Sequence, residues 1–107
     1  MSLPHDDSLR DRVVAQLAPL GAIECRPMFG GYGLYRDGVS FAILYDGHLY
    51  FKTGSASRPR YVERGMRPFR PTPRQTLRTY YEVPAEVLRS GEELRSWAED
   101  ALSTHRG

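Results

Sequence analysis

Two Asp-Gly pairs, Asp37-Gly38 and Asp46-Gly47, divide the stretch Pro27 to Lys52 into three short runs rich in aromatic and branched residues. An Asp-Gly pair between such runs marks a hairpin, because a type I′ turn requires positive φ at both central positions. The spacing therefore predicts a three-stranded antiparallel meander, around which the rest of the chain must be arranged. Two-residue turns set a register. Leu34 should face Phe41, Gly33 should face Ala42 and Tyr32 should face Ile43. Across the second turn Ala42 should face Phe51, Ile43 should face Tyr50 and Leu44 should face Leu49. With side chains alternating between faces, the central strand Ser40–Tyr45 is apolar on both sides. One face would carry Gly33, Ala42, Leu44, Leu49 and Phe51. The other would carry Tyr32, Leu34, Phe41, Ile43, Tyr45 and Tyr50. A second apolar face in so small a chain predicts a covering partner, a second copy being the first expectation.

Length limits what surrounds the meander. The 107 residues, 40% hydrophobic and 26% charged, suffice for one domain spanning 1–107 with one modest core. A single cysteine, Cys25, excludes an internal disulfide framework. No apolar run reaches the length of a membrane span, and the N-terminus lacks the hydrophobic stretch of a signal peptide. The expected setting is the cytoplasm, without a membrane.

Helices should flank the sheet. Asp6, Asp7 and Ser8 can cap a helix whose Leu9, Val13, Leu17 and Leu20 share one face, ending between Ala18 and Leu20 before Gly21. A strand within 22–28 leads into the meander, with Pro27 at an edge or bulge. Ser57 should cap a short helix with Pro59 in its first turn, Tyr61 and Val62 pointing inward and Gly65 as its stop. Strands at Met66–Phe69 and Thr76–Val83 follow, joined by a turn through Arg70-Pro71-Thr72-Pro73. After a helical turn at Pro84–Leu88, Ser90 caps a final helix striped by Leu94, Trp97, Ala98, Ala101 and Leu102. The order α-β-β-β-β-α-β-β-α predicts a two-layer α+β fold, an antiparallel sheet with helices on one side.

The residues that carry chemistry elsewhere lack their settings here. Gly30, Gly31 and Gly33 lead into a strand, whereas a phosphate-binding glycine loop leads into a helix. Bend or bulge geometry is the expected role, although a small-molecule pocket beneath Gly30-Gly31 is a conceivable third reading. Cys25 beside Arg26 reads as a small buried residue without a histidine nearby in sequence. His5, His48 and His105 are scattered without metal-ligand spacing, with His105 and Arg106 suited to a helix C-terminus. The acidic pairs fall where helix caps need them. The chain is therefore expected to have no catalytic residues, no cofactor and no metal, and not to be an enzyme.

Charge is unevenly distributed. Between Arg58 and Arg78 seven arginines stand against Glu63, giving +6, which leaves −4 for the remainder of a chain whose net charge is +2. Arg58, Arg60, Arg64, Arg67, Arg70 and Arg74, interleaved with Tyr61 and Phe69, are candidate contacts to an anion or nucleic acid.

The motifs together resemble the N-terminal domain of the TfoX/Sxy competence-regulator family. The residues that carry the likeness are Arg26-Pro27-Met28-Phe29-Gly30-Gly31-Tyr32-Gly33-Leu34-Tyr35, Asp37-Gly38, Phe41-Ala42, Asp46-Gly47 and Leu49-Tyr50-Phe51-Lys52. Downstream they continue through Gly65, Pro68-Phe69, Tyr80-Tyr81, Pro84, Trp97 and Ala101, covering nearly the whole chain. The resemblance implies a secretion-chaperone-like α+β domain, frequent dimerisation and a role in regulating competence for DNA uptake. It offers no catalytic residues to carry over. Longer members have a second, helical domain, and single-domain members need not regulate competence. Thr53-Gly54 replaces a common acidic position and Leu77 a common Met. The expected function is a small cytoplasmic regulatory module acting through protein contacts, with an unidentified protein partner or a second copy. The alternative is a nucleic-acid accessory domain built on the arginine block.

Overall fold

A computed structural model describes residues 4–104, with side chains from residue 7 onward. The expected Asp6 cap, His5 and the His105-Arg106 helix end lie outside the described side chains. The chain forms α1 (Pro4–Leu17), β1 (Glu24–Met28), β2 (Gly31–Arg36), β3 (Val39–Tyr45), β4 (His48–Lys52) and α2 (Arg58–Glu63). It continues as β5 (Pro68–Thr72), β6 (Gln75–Glu82), α3 (Ala85–Arg89) and α4 (Gly91–Ser103). The strands make one antiparallel sheet in the order β1-β2-β3-β4-β6-β5, with the helices packed on one side. This is the expected α+β architecture, with the turn at Pro84 realised as α3.

Three type I′ turns drive the first half of the sheet. Asp37-Gly38 (φ 53° and 78°) and Asp46-Gly47 (φ 50° and 79°) are the expected hairpin turns. The third is Phe29-Gly30, with φ 53° and 86°, joining β1 to β2. The glycine bend is thus itself a hairpin turn. At Gly31 the backbone packs closely, since a Cβ there would overlap the Leu44 carbonyl, whereas Gly30 borders open space.

The β3–β4 register is as expected, with Ala42 facing Phe51, Ile43 facing Tyr50 and Leu44 facing Leu49. The β2–β3 register differs by one residue. Tyr32 faces Leu44, Gly33 faces Ile43 and Leu34 faces Ala42, while Tyr35 faces Ser40. Phe41 is the extra residue of a β-bulge, which bends the strand and resets the facing pairs. Tyr32, Leu34 and Phe41 consequently join Ala42, Leu44, Leu49 and Phe51 on the helix side, and Gly33 moves to the opposite face with Ile43.

The helix-side core gathers Val13 and Leu17 of α1, Leu94, Trp97, Ala98 and Ala101 of α4, and Tyr61 of α2 against those strand residues. Full burial of a Leu or Phe side chain stabilises by roughly 1.5–3 kcal/mol, so this stripe accounts for why α1 and α4 dock. Ser90 caps α4 as expected, its Oγ accepting from the Glu93 N–H. The N-terminal helix begins at Pro4, upstream of its expected caps. Asp7 instead lies inside it and accepts the Tyr32 hydroxyl at 2.7 Å.

Three other expectations change. Ser57 does not cap α2 through its side chain; its Oγ accepts from the Gly54 N–H at 3.0 Å. Gly65, at φ 76°, does end α2, with Met66 N–H donating to Tyr61 O and Gly65 N–H to Val62 O in a Schellman arrangement. Val62 is 55% exposed, because a helix this short turns one face inward and Tyr61 occupies it. Finally, Arg70, Pro71 and Thr72 belong to β5, and the chain reverses at Pro73-Arg74. An edge strand tolerates those prolines, having one side without a hydrogen-bond partner.

Candidate functional site

The arginine block is divided between two elements. Arg58 donates from Nε to Thr53 Oγ1 and from a terminal nitrogen to Thr53 O. Thr53 is buried and also donates to the Thr79 carbonyl, so its departure from the common acidic residue serves to tie α2 to β6. Arg60 pairs with Asp100 of α4 at 2.7 Å and stacks over Trp97, its guanidinium carbon 4.1 Å from the ring centroid. Arg64 lies over the same ring at 5.2 Å and reaches Glu86 at 3.4 Å. Arg70 donates to the Pro73 carbonyl within its own hairpin. Arg67, Arg74 and Arg78 are exposed and join no ion pair among the described residues. Arg58, Arg60 and Arg64 therefore bind the helical layer together, while the exposed cations stand on the β5–β6 hairpin.

Beside Arg60 an open cleft of about 440 Å³ lies between the 54–57 loop and the end of α4, bordered by Ser57, Asp100, Ser103 and Thr104. The hydroxyls of Ser57, Ser103 and Thr104 are committed to the backbone. Ser103 donates to Glu99 and Asp100 carbonyls, and Thr104 to the Ala101 carbonyl. Asp100 offsets the charge of Arg60, so the cleft presents neither a net anion site nor a nucleophile held by a base. Among the described residues no three His, Cys, Asp or Glu side chains come together as metal ligands. Cys25 is half-buried on the core side, and that burial raises its thiol pKa.

The opposite face of the sheet is different in character. Phe69 of β5, fully buried, turns back over it and meets Tyr50 at 4.8 Å, Tyr45 at 5.3 Å and Phe29 at 5.9 Å between ring centroids. This small second core covers one end of the face, where the sequence leads one to expect a partner. The other end is open. There Tyr35, Ser40 and Tyr80 are half-buried, the Ser40 and Tyr80 hydroxyls bonded at 2.8 Å. Burial pushes the Tyr50 hydroxyl up to about 12 and raises that of Tyr80, so both stay neutral donors. Arg26 lies over the Tyr35 ring at 4.4 Å and pairs with Glu24 at 3.0 Å. At the far side His48 meets Glu82 at 2.8 Å.

The family-motif residues divide between these places. Met28, Phe29, Gly30, Gly31 and Gly33 shape the β1–β2 hairpin, and the Asp37-Gly38 and Asp46-Gly47 turns close the meander. Phe69 carries the second core, Pro68 faces Tyr81 on β6, Tyr80 lies on the open face, and Tyr81 and Trp97 surround Tyr61 at 6.1 and 4.8 Å. Two features escaped the sequence reading. The Arg60–Asp100 pair joins residues forty positions apart, with no local pattern to announce it. The return of Phe69 depends on irregular pairing between β5 and β6, where Pro68 faces Tyr81 but Phe69 faces Leu77.

Comparison with known proteins places the chain. The sequence profile of the TfoX N-terminal domain matches residues 15–105. DNA transformation protein TfoX1 of Aliivibrio fischeri (strain ATCC 700601 / ES114) is 29% identical over 100 residues, which cover 92% of this chain and 48% of that protein. The chain thus spans about half the length of the curated relative it matches.

Proposed function

This chain belongs to the TfoX N-terminal domain family, and from that premise we propose that it is a cytoplasmic, non-catalytic interaction module of a competence-regulating system, acting through the open face of its sheet. The relative named for DNA transformation supports the setting. The observation that carries the mode of action is the open face itself. Tyrosines around a buried Ile43 offer rigid rings and neutral hydroxyls, the side-chain chemistry enriched at protein interfaces. The helices already cover the other face, leaving this one for a partner.

The test is genetic and local. Deleting the gene should lower transformation frequency in the source organism, and wild-type protein should restore it. A Tyr35→Glu, Tyr80→Glu chain that folds but fails to restore transformation supports the reading; full restoration overturns the role of the face. Unchanged transformation after deletion overturns the competence assignment. A parallel salt-titrated DNA and RNA binding assay decides the basic-block alternative. Binding that weakens steeply with salt and drops on Arg67→Ala and Arg74→Ala would favour nucleic acid over protein as the partner.

A further inference from the structure

We propose that a groove in the helical layer, between α1 on one side and α3 and α4 on the other, binds an acidic, amphipathic segment of a partner protein. The groove lies on the side of the molecule away from the open sheet face, and the inference does not rest on the reading above. Ser8, Arg12 and Gln16, spaced four apart, stand in one row along α1 and form the first wall. Leu88 and Arg89 at the end of α3, with Leu94 of α4, form the second. Two hollows of about 280 and 500 Å³ lie between the walls, and Arg12 and Leu88 border both, so the two are continuous. The floor is aliphatic, made by buried Leu9, Val13 and Leu94 and half-buried Leu88. From Ser8 to Gln16 the wall runs about 12 Å, at 1.5 Å per residue, which suits about two turns of a docked helix. Gln16 packs against Gly91, where a Cβ would have no room, and Arg95 donates to the Gln16 carbonyl at 3.4 Å. These contacts hold α1 and α4 at a fixed separation.

Charge identifies the occupant. Arg12 of α1 and Arg89 of α3 are exposed and join no ion pair among the described residues, and Arg95 of α4 meets only a carbonyl. No carboxylate lines either hollow. The other helix arginines are all engaged, Arg10 with Asp7 and Asp11, Arg58 with Thr53 and Arg60 with Asp100. Outside Arg58–Arg78 the chain carries −4, so a purely cationic groove there runs against its surroundings. Arg89 also suits the C-terminal end of α3, but Arg12, well inside α1, has no such role. Three cations converging from three helices repel one another until an anionic partner arrives, which is electrostatic complementarity in its unfilled state.

The aliphatic floor selects among anionic partners. No aromatic side chain lines the groove, so it lacks the stacking platform that nucleic acid uses. A bilayer surface meets ridges and cannot follow a recess between helices. A second copy has no suitable segment to offer among the described residues, because the acids of α4 stand on a helix whose apolar stripe is already buried. A peptide with aliphatic anchors one helical turn apart and carboxylates beside them satisfies both the floor and the rim.

Selection from a phage-displayed library of random peptides about twelve residues long, enough for roughly three helical turns, tests the assignment on the full chain. Enriched peptides should carry Asp or Glu beside aliphatic residues at i, i+3 or i+4 spacing. Their dissociation constants, by fluorescence polarisation at about 50 mM salt, should lie below about 100 μM. Arg12→Glu and Arg89→Glu, both at exposed positions, should each weaken binding at least about fivefold, and lysine in place of the peptide's acids should restore binding to the double variant. The Tyr35→Glu, Tyr80→Glu chain should bind as the wild type does. Failure to enrich acidic peptides overturns the proposal, as does binding that survives both arginine substitutions. Peptides lost in the tyrosine variant and kept in the arginine variants belong to the sheet face and refute the groove alone. Arg12→Glu that instead abolishes binding to duplex DNA or to phosphatidylglycerol vesicles, with no peptide selected, gives the groove a different partner and also overturns it.

Discussion

Phe69 on β5 packs its ring against Tyr50 on β4, 4.8 Å between centroids, on the face that the helices do not reach. The contact makes β5 more than an edge strand, because it folds a second, smaller core over part of the sheet. Phe69→Ala should destabilise the chain by about 3–5 kcal/mol in urea titration, the usual range for a fully buried phenylalanine. Amide exchange should speed up first in β5 and the adjoining part of β6. A loss below about 1 kcal/mol would show that the second core contributes little.

Arg60 should not be replaceable by lysine. Its guanidinium stacks on Trp97 while pairing with Asp100, and an ammonium retains the charge without the planar stack. Both partners of the ion pair are more than a third exposed, so solvent screening discounts the pair to about 0.5 kcal/mol. Cation–π stacking contributes about 0.5–1 kcal/mol. Arg60→Lys should therefore cost roughly 0.5–1 kcal/mol, mostly insensitive to salt, as measured by denaturation at low and high ionic strength. A cost that disappears in high salt would assign the interaction to the ion pair instead.

Two glycines in the meander should fail for different reasons. Gly38 has φ 78° with open space around it, so Gly38→Ala meets only the left-handed backbone penalty, about 1–2 kcal/mol. Gly31 lies against the Leu44 carbonyl, and its alanine must displace backbone. Gly31→Ala should cost more, at about 2–4 kcal/mol, combining overpacking with distortion of the β2–β3 ladder. Thermal melts of the two variants check the order; a more stable Gly31→Ala would reverse it.

Alkaline pH should unfold the chain through its tyrosines. Burial pushes Tyr50 up to about 12 and also raises Tyr61 and Tyr80. All three are neutral in both states below about pH 10, the ordinary tyrosine value, so their contribution is complete there. Between pH 10 and about 12 the unfolded chain loses protons first, and stability falls. The melting temperature should decline across that window, while absorbance at 295 nm shows these groups titrating late. Tyr50→Phe should flatten part of the decline.

How far the sequence foretold this structure depends on whether the determining contact was local. Asp37-Gly38 and Asp46-Gly47 fix their own turn geometry, and the β3–β4 pairing followed from them. The β2–β3 pairing did not, because a bulge at Phe41 is favoured by packing both Phe41 and Ala42 against the helices, which no turn rule records. The Phe29-Gly30 turn was harder to read, since phenylalanine is an unusual occupant of positive φ. The charge block was visible, but its division between Trp97, Asp100, Glu86 and Thr53 depends on α4, α3 and β4 arriving beside α2. The open face was legible only as surplus apolarity. The return of Phe69 became evident once the strands were in order.

The prolines in the two outermost strands bear on how the amount of this protein can vary. An unblocked sheet edge recruits strands without limit, so its tendency to polymerise grows with concentration. Here each margin of the sheet interrupts its own hydrogen-bond ladder with proline, Pro27 in β1 and Pro68 and Pro71 in β5. Abundance can then rise and fall over a wide range without strand-by-strand growth at the sheet's edges.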